Sequence, residues 1–387
     1  MLLYNGTVHS LSEKGTIPQG FVLMEEGKIK AIGEMKDCPQ NDIGEKMDVQ
    51  GGHIFPGFVD AHCHLGVFGD ALGFEADDGN ESTDPCTPHL RAIDAINPLD
   101  RCFQEARQNG VSTVATGPGS ANAISGQFVA IKTQGSWVDK MILQSPIAMK
   151  FAMGENPKSV YHGRDETPIT RMAIASIQRE NLALAQEYLN KINKATEDEE
   201  EDRPDFDAKL EALLPVLRGE LPIHIHAHRA DDIFTGIRVA EEFSLKYVIV
   251  HGTEGHLIAD SLGELGASVI TGPNLGDRSK PELKNLSIHN THILHKAGVK
   301  VAICTDHPVI PIQYLPLCAS LAVKGGLSPE EALRAITITP AEILGIDSRV
   351  GSLAEGKDAD VVVSTKDPLD FMGEIKAVFV NGVLVKD

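Results

Sequence analysis

Pro56-Gly57-Phe58-Val59-Asp60-Ala61-His62-Cys63-His64 is an apolar run that ends in two histidines two positions apart. Read as a strand, it alternates its side chains between faces, which predicts Asp60, His62 and His64 on one side and Val59, Ala61 and Cys63 on the other. Two imidazoles on one face, where a strand runs out, can grip a single divalent ion. A His-x-His pair alone is weak evidence of a metal, so the rest of the chain has to supply the context. Three later stretches do. Leu221-Pro222-Ile223-His224-Ile225-His226-Ala227-His228, Tyr247-Val248-Ile249-Val250-His251-Gly252 and Lys300-Val301-Ala302-Ile303-Cys304-Thr305-Asp306-His307 each place a metal-ligand type at the end of an apolar strand.

Between 57 and 349 the chain alternates. Strand candidates lie at 58–63, 111–116, about 138–143, 147–153, 222–227, 247–250, 267–271 and 299–304, with helical stretches between most of them. Pro98 to Asn109, ending at Gly110, and Asp231 to Phe243 are examples; glycine closing a helix before a β-branched run marks an αβ junction. Eight strands with helical crossovers suit an α/β fold of the (β/α)8 TIM-barrel kind, although a doubly wound open sheet has the same local signature. The polar residues separate the two. An open sheet gathers its ligand near one switch point, whereas a barrel draws its site from several strand ends at one rim, and here the ligand types are spread over several strands.

The chain ends have a different texture. Phe21-Val22-Leu23-Met24, Glu25-Glu26-Gly27-Lys28 and Ile29-Lys30-Ala31-Ile32 read as strand, turn and strand. Asp360-Val361-Val362-Val363 and Ala377 to Val385, with Asn381-Gly382 as a hairpin turn, repeat that pattern. Residues 1–56 and 350–387 are therefore expected to form one small composite β-sandwich beside the barrel of 57–349. The acidic run from Thr196 to Asp205 is expected to be an exposed loop.

The 55 acidic and 35 basic residues give a formal charge of −20. Such a surface repels nucleic acid and anionic membranes, so neither is expected as a partner. Six cysteines without paired spacing, the lack of a basic-then-apolar leader, and no apolar run of roughly 18 residues predict a cytoplasmic protein with reduced thiols.

With these residues in view, the chain resembles the amidohydrolase superfamily. The resemblance rests on Pro56 to His64, a histidine before Ala227, His251-Gly252 and Thr305-Asp306. It extends to the closing stretches Thr339-Pro340-Ala341-Glu342-Ile343-Leu344-Gly345, Gly351-Ser352-Leu353 and Glu355-Gly356-Lys357-Asp358-Ala359-Asp360. Within that superfamily it is similar to imidazolonepropionase- and prolidase-related members. The resemblance implies that His62 and His64 bind one metal, His226 and His251 the same or a second one, and Asp306 the catalytic water. His226 is preferred over His224 and His228 because His226-Ala227 sits where relatives carry a fifth-strand ligand; alternation alone cannot choose among the three. His228, Asn274 and Arg278 are candidate substrate contacts, with Arg164 and Arg171 as further carboxylate anchors. The fourth strand, Ala148-Met149-Lys150-Phe151-Ala152-Met153-Gly154-Glu155, leaves two candidates. Glu155 is favoured as a rim ligand, and a carboxylated Lys150 stays open; either would allow two ions, and neither would leave one.

The implied function is metal-dependent hydrolysis of a C–N bond in a cyclic amide, amide or amidine-type small molecule, with Asp306 as general base and then general acid. Zn2+ suits an imidazole-rich site, and Fe or Mn fit the same ligands. A dipeptidase for Xaa-Pro or acyl-amino-acid substrates is the alternative, and a non-catalytic scaffold of the same fold a remote one. Barrels of this superfamily commonly associate, so a homo-oligomer is expected.

Overall fold

The structure is a computed structural model that describes residues 1–39, 44–69, 73–198 and 200–386. Two eight-stranded sheets dominate it.

The first is built from both ends of the chain. Strands β1 (Leu2–His9), β2 (Thr16–Glu25), β3 (Lys28–Glu34), β4 (Lys46–Asp48) and β5 (His53–Pro56) join β14 (Val361–Ser364), β15 (Ile375–Val380) and β16 (Val383–Lys386). The joint is β5 against β14, antiparallel, with Pro56 opposite Val361. Two of its hairpins turn on residues with positive φ at both centres, Glu26-Gly27 at 50° and 75° and Asn381-Gly382 at 49° and 74°. That backbone matches the right-handed twist of the flanking strands, which is why Asn-Gly is a turn signal there. Leu3, Val8, Val22, Ile54, Val361 and Phe379 share one buried apolar cluster.

The second sheet is a nearly closed barrel in a mixed α/β fold. Its strands follow chain order: β6 (Phe58–Cys63), β7 (Val111–Thr116), β8 (Ile124–Lys132), β9 (Ile142–Ala152), β10 (Ile223–Ala227), β11 (Tyr247–His251), β12 (Ser268–Thr271) and β13 (Lys300–Ile303). Outward-facing Met149, Phe151, Ile223, Ile225, Ile249 and Val269 pack on the apolar stripes of surrounding helices, among them Arg171–Glu197, Ala208–Leu217 and Ala230–Glu242. Inside, the alternate positions Ala115, Ala130, Ala148, Val248, Val250 and Ala302 form a separate cluster. The period of two thus sorts each strand between shell and interior.

The third strand departs from expectation. It is Ile124–Lys132, not 138–143; residues 138–140 form a short 3-10 turn, and β9 takes in only the last two residues of the expected third strand together with most of the expected fourth. Moreover β8 runs antiparallel to both β7 and β9. The connection explains this. Gly117-Pro118-Gly119-Ser120-Ala121-Asn122-Ala123 is too short and too poor in helix formers for a crossover, but long enough to turn the chain straight back. The regular (β/α) alternation is therefore interrupted once.

The acidic run is exposed over 196–198 and mostly so over 200–205, with its first residues ending the helix Arg171–Glu197; Glu199 lies outside the described residues. Among the described residues no helix is long and apolar enough to cross a membrane.

A buried ionic network joins barrel and terminal sheet. Lys132, 3% exposed at the end of β8, is hydrogen-bonded to the Asp360 carboxylate and lies 3.1 Å from Asp358. Asp360 also accepts from the Ser112 hydroxyl and the Asn381 amide, and Asp358 pairs with Lys28 and Arg349. Removing one partner from such a network leaves uncompensated buried charge. Lys132→Met is expected to cost about 3–5 kcal/mol, read as a lower midpoint of urea unfolding. An unchanged midpoint would show that the network holds nothing together.

Candidate metal centre

The first barrel strand does not keep its alternation to the end. Register shifts between Asp60 and Cys63, and Val59 and Ala61 pack with the interior apolar cluster. Asp60 therefore does not share a face with the two histidines, as strict alternation predicts. Its carboxylate accepts from the Thr305 amide at 3.0 Å, the Thr305 hydroxyl at 2.6 Å and the His62 amide at 3.1 Å. Burial pushes the Asp60 carboxyl up to about 7, against the opposing pull of those hydrogen bonds. The irregularity turns His62 inward beside His64.

Two backbone contacts then draw the last strand to the first: His64 N to His307 O at 2.8 Å and Asp306 N to His62 O at 3.3 Å. Asp306 Oδ1 consequently lies 3.2 Å from His64 Nε2 and 3.6 Å from His62 Nε2. On the far wall, β10 and β11 bring His226, His228 and His251 together. The ligand atoms of these three fall within 4.8 Å of one another, and so do those of His62, His251 and Asp306. His251 belongs to both groups.

Two of these imidazoles have a fixed tautomer. His64 Nδ1 lies 2.8 Å from Gly117 O and His251 Nδ1 2.8 Å from Gly272 O. A carbonyl only accepts, so Nδ1 carries the proton and Nε2 keeps its lone pair for a ligand. Burial holds His62, His226 and His228 well below the usual histidine range, His251 at about 4 and His224 at about 3. Neutral imidazole is the form that binds metal. Burial also pushes the Asp306 carboxyl up, but the nitrogen groups that face it, His251 first and then His64 and Lys150, outweigh it and hold the group down to about 2. Both nitrogens of His226 are buried without a hydrogen-bond partner. Neutral imidazoles, one ionised carboxylate and orphaned ring nitrogens in two adjoining groups that share His251 are a donor set that fits a divalent ion.

The structure departs from expectation at the fourth strand. Glu155 opens the helix Glu155–His162, beyond β9, where its side chain accepts from the Glu282 amide at 3.3 Å; it stands outside both ligand groups. The αβ switch at Gly154, with φ of 83°, carries the chain away from the interior before Glu155 is reached. Lys150 stands inside instead, fully buried, with Nζ 3.1 Å from His62 Nε2. Burial lowers its pKa to about 8. Phe128, on the reversed strand, stacks on His62 at 5.1 Å between centroids. No motif marks Phe128 in the sequence, because only the reversal of β8 brings it beneath the histidine.

Of the expected substrate contacts, His228 lines the cavity above the cluster, and its Nδ1 lies 2.7 Å from Thr253 Oγ1. Asn274 is buried against Thr291, off the cavity wall. Arg278 is exposed and donates to the carbonyls of Lys284 and Leu286. Arg171 is paired with Asp232 and Arg164 with the Ser82 hydroxyl. The cavity itself, about 420 Å3, is walled by His64, His226, His228, His251, Asp306, Phe68, Asn80, Ser120, Asn156 and Lys280. His224 lies one alternation deeper than His226, in register with Lys150, with neither ring nitrogen bonded.

A family model described as the amidohydrolase family matches residues 218–385. The amidohydrolase tasK of Hapsidospora irregularis is 29% identical over 392 residues; the match takes in 94% of this chain but 39% of that longer protein. Imidazolonepropionase of Idiomarina loihiensis is 26% identical over 403 residues, with 95% and 93% of the two chains covered. The crystal structure of an amidohydrolase from Thermotoga maritima MSB8 superposes with a TM-score of 0.95 at 41% identity, over 99% of each chain. By that likeness along its whole length, this chain belongs to the amidohydrolase superfamily.

Proposed function

We propose that this protein hydrolyses a C–N bond in a small molecule, a cyclic amide, amide or amidine-type compound, with the help of a divalent metal. The observation that supports it is the convergence of His226, His228 and His251 and of His62, His251 and Asp306 in two adjoining groups that share His251, with His64 3.2 Å from Asp306, beside a cavity of about 420 Å3. That volume suits a small molecule rather than a polymer. His62, His64, His226, His251 and Asp306 would hold the ion, with His228 as a further imidazole; Zn2+ suits so many nitrogens best, and Fe or Mn would be accepted by the same set. A divalent ion there supplies Lewis-acid polarisation of the scissile group and lowers the pKa of water from about 15.7 toward about 7.

The chain's own groups account for the proton transfers. Asp306, ionised and fixed by the seam between β6 and β13, takes a proton from the attacking water. It then returns that proton to the departing nitrogen, so water adds across the C–N bond with no net change in the enzyme. At the fourth strand Lys150, not Glu155, takes the ligand role. Its amine, eased toward the neutral form by burial, would add carbon dioxide and lose one proton to give a carbamate, an added anionic ligand for the metal. The six cysteines are buried and none is in a disulfide, which suits a reducing cytoplasmic setting.

Asp306→Asn is expected to keep bound metal by elemental analysis while turnover falls by about 10²–10⁴. A variant with ordinary rates would remove Asp306 from the mechanism. Lys150→Met is expected to lower the metal content per chain and abolish the mass increment of one carbon dioxide in native mass spectrometry, whereas Glu155→Gln leaves both intact. The reverse pattern would return the fourth-strand role to Glu155.

A further inference from the structure

The loop after β12 carries a cation into the wall of the metal-centre cavity. Lys280 is 25% exposed at its side chain, and its ammonium lies 2.7 Å from Asn156 Oδ1 and 2.7 Å from Glu282 Oε1. Glu282 is itself 1% exposed and locked in place. Its Oε2 accepts from the Glu155 amide at 3.0 Å, and its own amide donates back to Glu155. His228 Nε2 stands 3.6 Å from Glu282 Oε1, so the same carboxylate touches the histidine cluster. The positive charge of Lys280 bears on His226, His228 and His251.

An ammonium has three N–H donors. Asn156 accepts one of them and the Glu282 carboxylate stands by as an ion-pair partner, which leaves a donor for a group in the cavity that Lys280 and Asp306 both line. Among the described residues lining this cavity, Lys280 is the sole lysine or arginine. The arginines that could have anchored an anion are occupied elsewhere, Arg278 on carbonyls, Arg171 on Asp232 and Arg164 on Ser82. Glu282 and a substrate carboxylate would share the Lys280 charge, leaving one net negative charge among these three groups beside a centre whose donors suit a divalent cation.

We propose that Lys280, held by Asn156 and Glu282, is a specificity-determining residue that receives a carboxylate of the substrate next to the bond to be cut. The inference rests on the hydrolase reading above and narrows it to substrates of N-acyl amino-acid or dipeptide size. One free donor and a cavity of about 420 Å3 suit a carboxylate of that kind.

The test uses the metal-loaded full chain and two probes, N-acetyl-L-leucine and N-acetyl-L-leucinamide, which differ only in the carboxylate. Calorimetric binding and steady-state hydrolysis are measured for the native protein, Lys280→Gln and Lys280→Arg. The native protein is expected to bind the acid more tightly than the amide. Lys280→Gln should weaken the acid by about tenfold or more and leave the amide unchanged, and Lys280→Arg should recover part of the loss. Equal binding of the two probes by the native protein, absence of binding by either, or an equal loss for both in Lys280→Gln would overturn the assignment. Preference for the acid, lost in Lys280→Gln, without cleavage of any C–N substrate would leave the carboxylate anchor standing and remove the hydrolase reading. Cleavage of acid and amide alike, indifferent to Lys280→Gln, would do the opposite.

Discussion

The site depends on the seam where the first barrel strand meets the last. Asp60 and Thr305 are 245 positions apart, yet the Asp60 carboxylate takes both the amide and the hydroxyl of Thr305. The His62 carbonyl receives the Asp306 amide, and the His307 carbonyl receives the His64 amide. These contacts satisfy backbone groups that would otherwise be buried and unpaired at the barrel rim. They also place the Asp306 carboxylate over the two histidines of β6. Without closure there is a His-x-His strand end on one side and an aspartate on the other, with nothing to share.

The backbone of the site carries strain for the sake of that geometry. His251 and Asp306 both have positive φ, 71° and 54°, a region that non-glycine residues enter at a cost of about 1–3 kcal/mol. Hydrogen bonds hold each of them there, His251 through Gly272 O and Asp306 through the seam. Below them lies an apolar interior of small residues, and around them a shell of amphipathic helices. The rim is thus polar on a rigid apolar base, so the imidazoles stay neutral and fixed.

The reversed strand β8 matters for function because it changes what lies beneath the histidines. Running backward, it sets Phe128 flat against His62 and its last residue, Lys132, at the opposite end of the barrel. There the lysine meets Asp358 and Asp360 from the other end of the chain. One strand therefore backs the histidine cluster with its middle residue and ties the terminal sheet with its last.

Much of this was legible in the order of residues. Period-two runs marked seven of the eight barrel strands, Asn381-Gly382 marked its hairpin, and histidines or aspartate at strand ends marked the rim, because strand geometry and turn chemistry act over a few neighbouring residues. What needed the tertiary structure was every choice that local pattern leaves degenerate. Alternation predicted Asp60 beside His62 and His64, but a register shift created by pairing with neighbouring strands sends it to Thr305. Its place at the strand end favours Glu155 over Lys150, but the turn at Gly154 carries it into a helix beyond the strand, while Lys150 stays buried inside. Lys280 and Glu282 carry no motif at all; they acquire a role only because a loop folds back against Asn156 and His228. The sequence by itself determined which residues could bind a metal and roughly where strands begin and end, since both follow from the chemistry of single side chains and their spacing. Only the nearly closed barrel decided which of them meet, because that depends on contacts between residues as far as hundreds of positions apart.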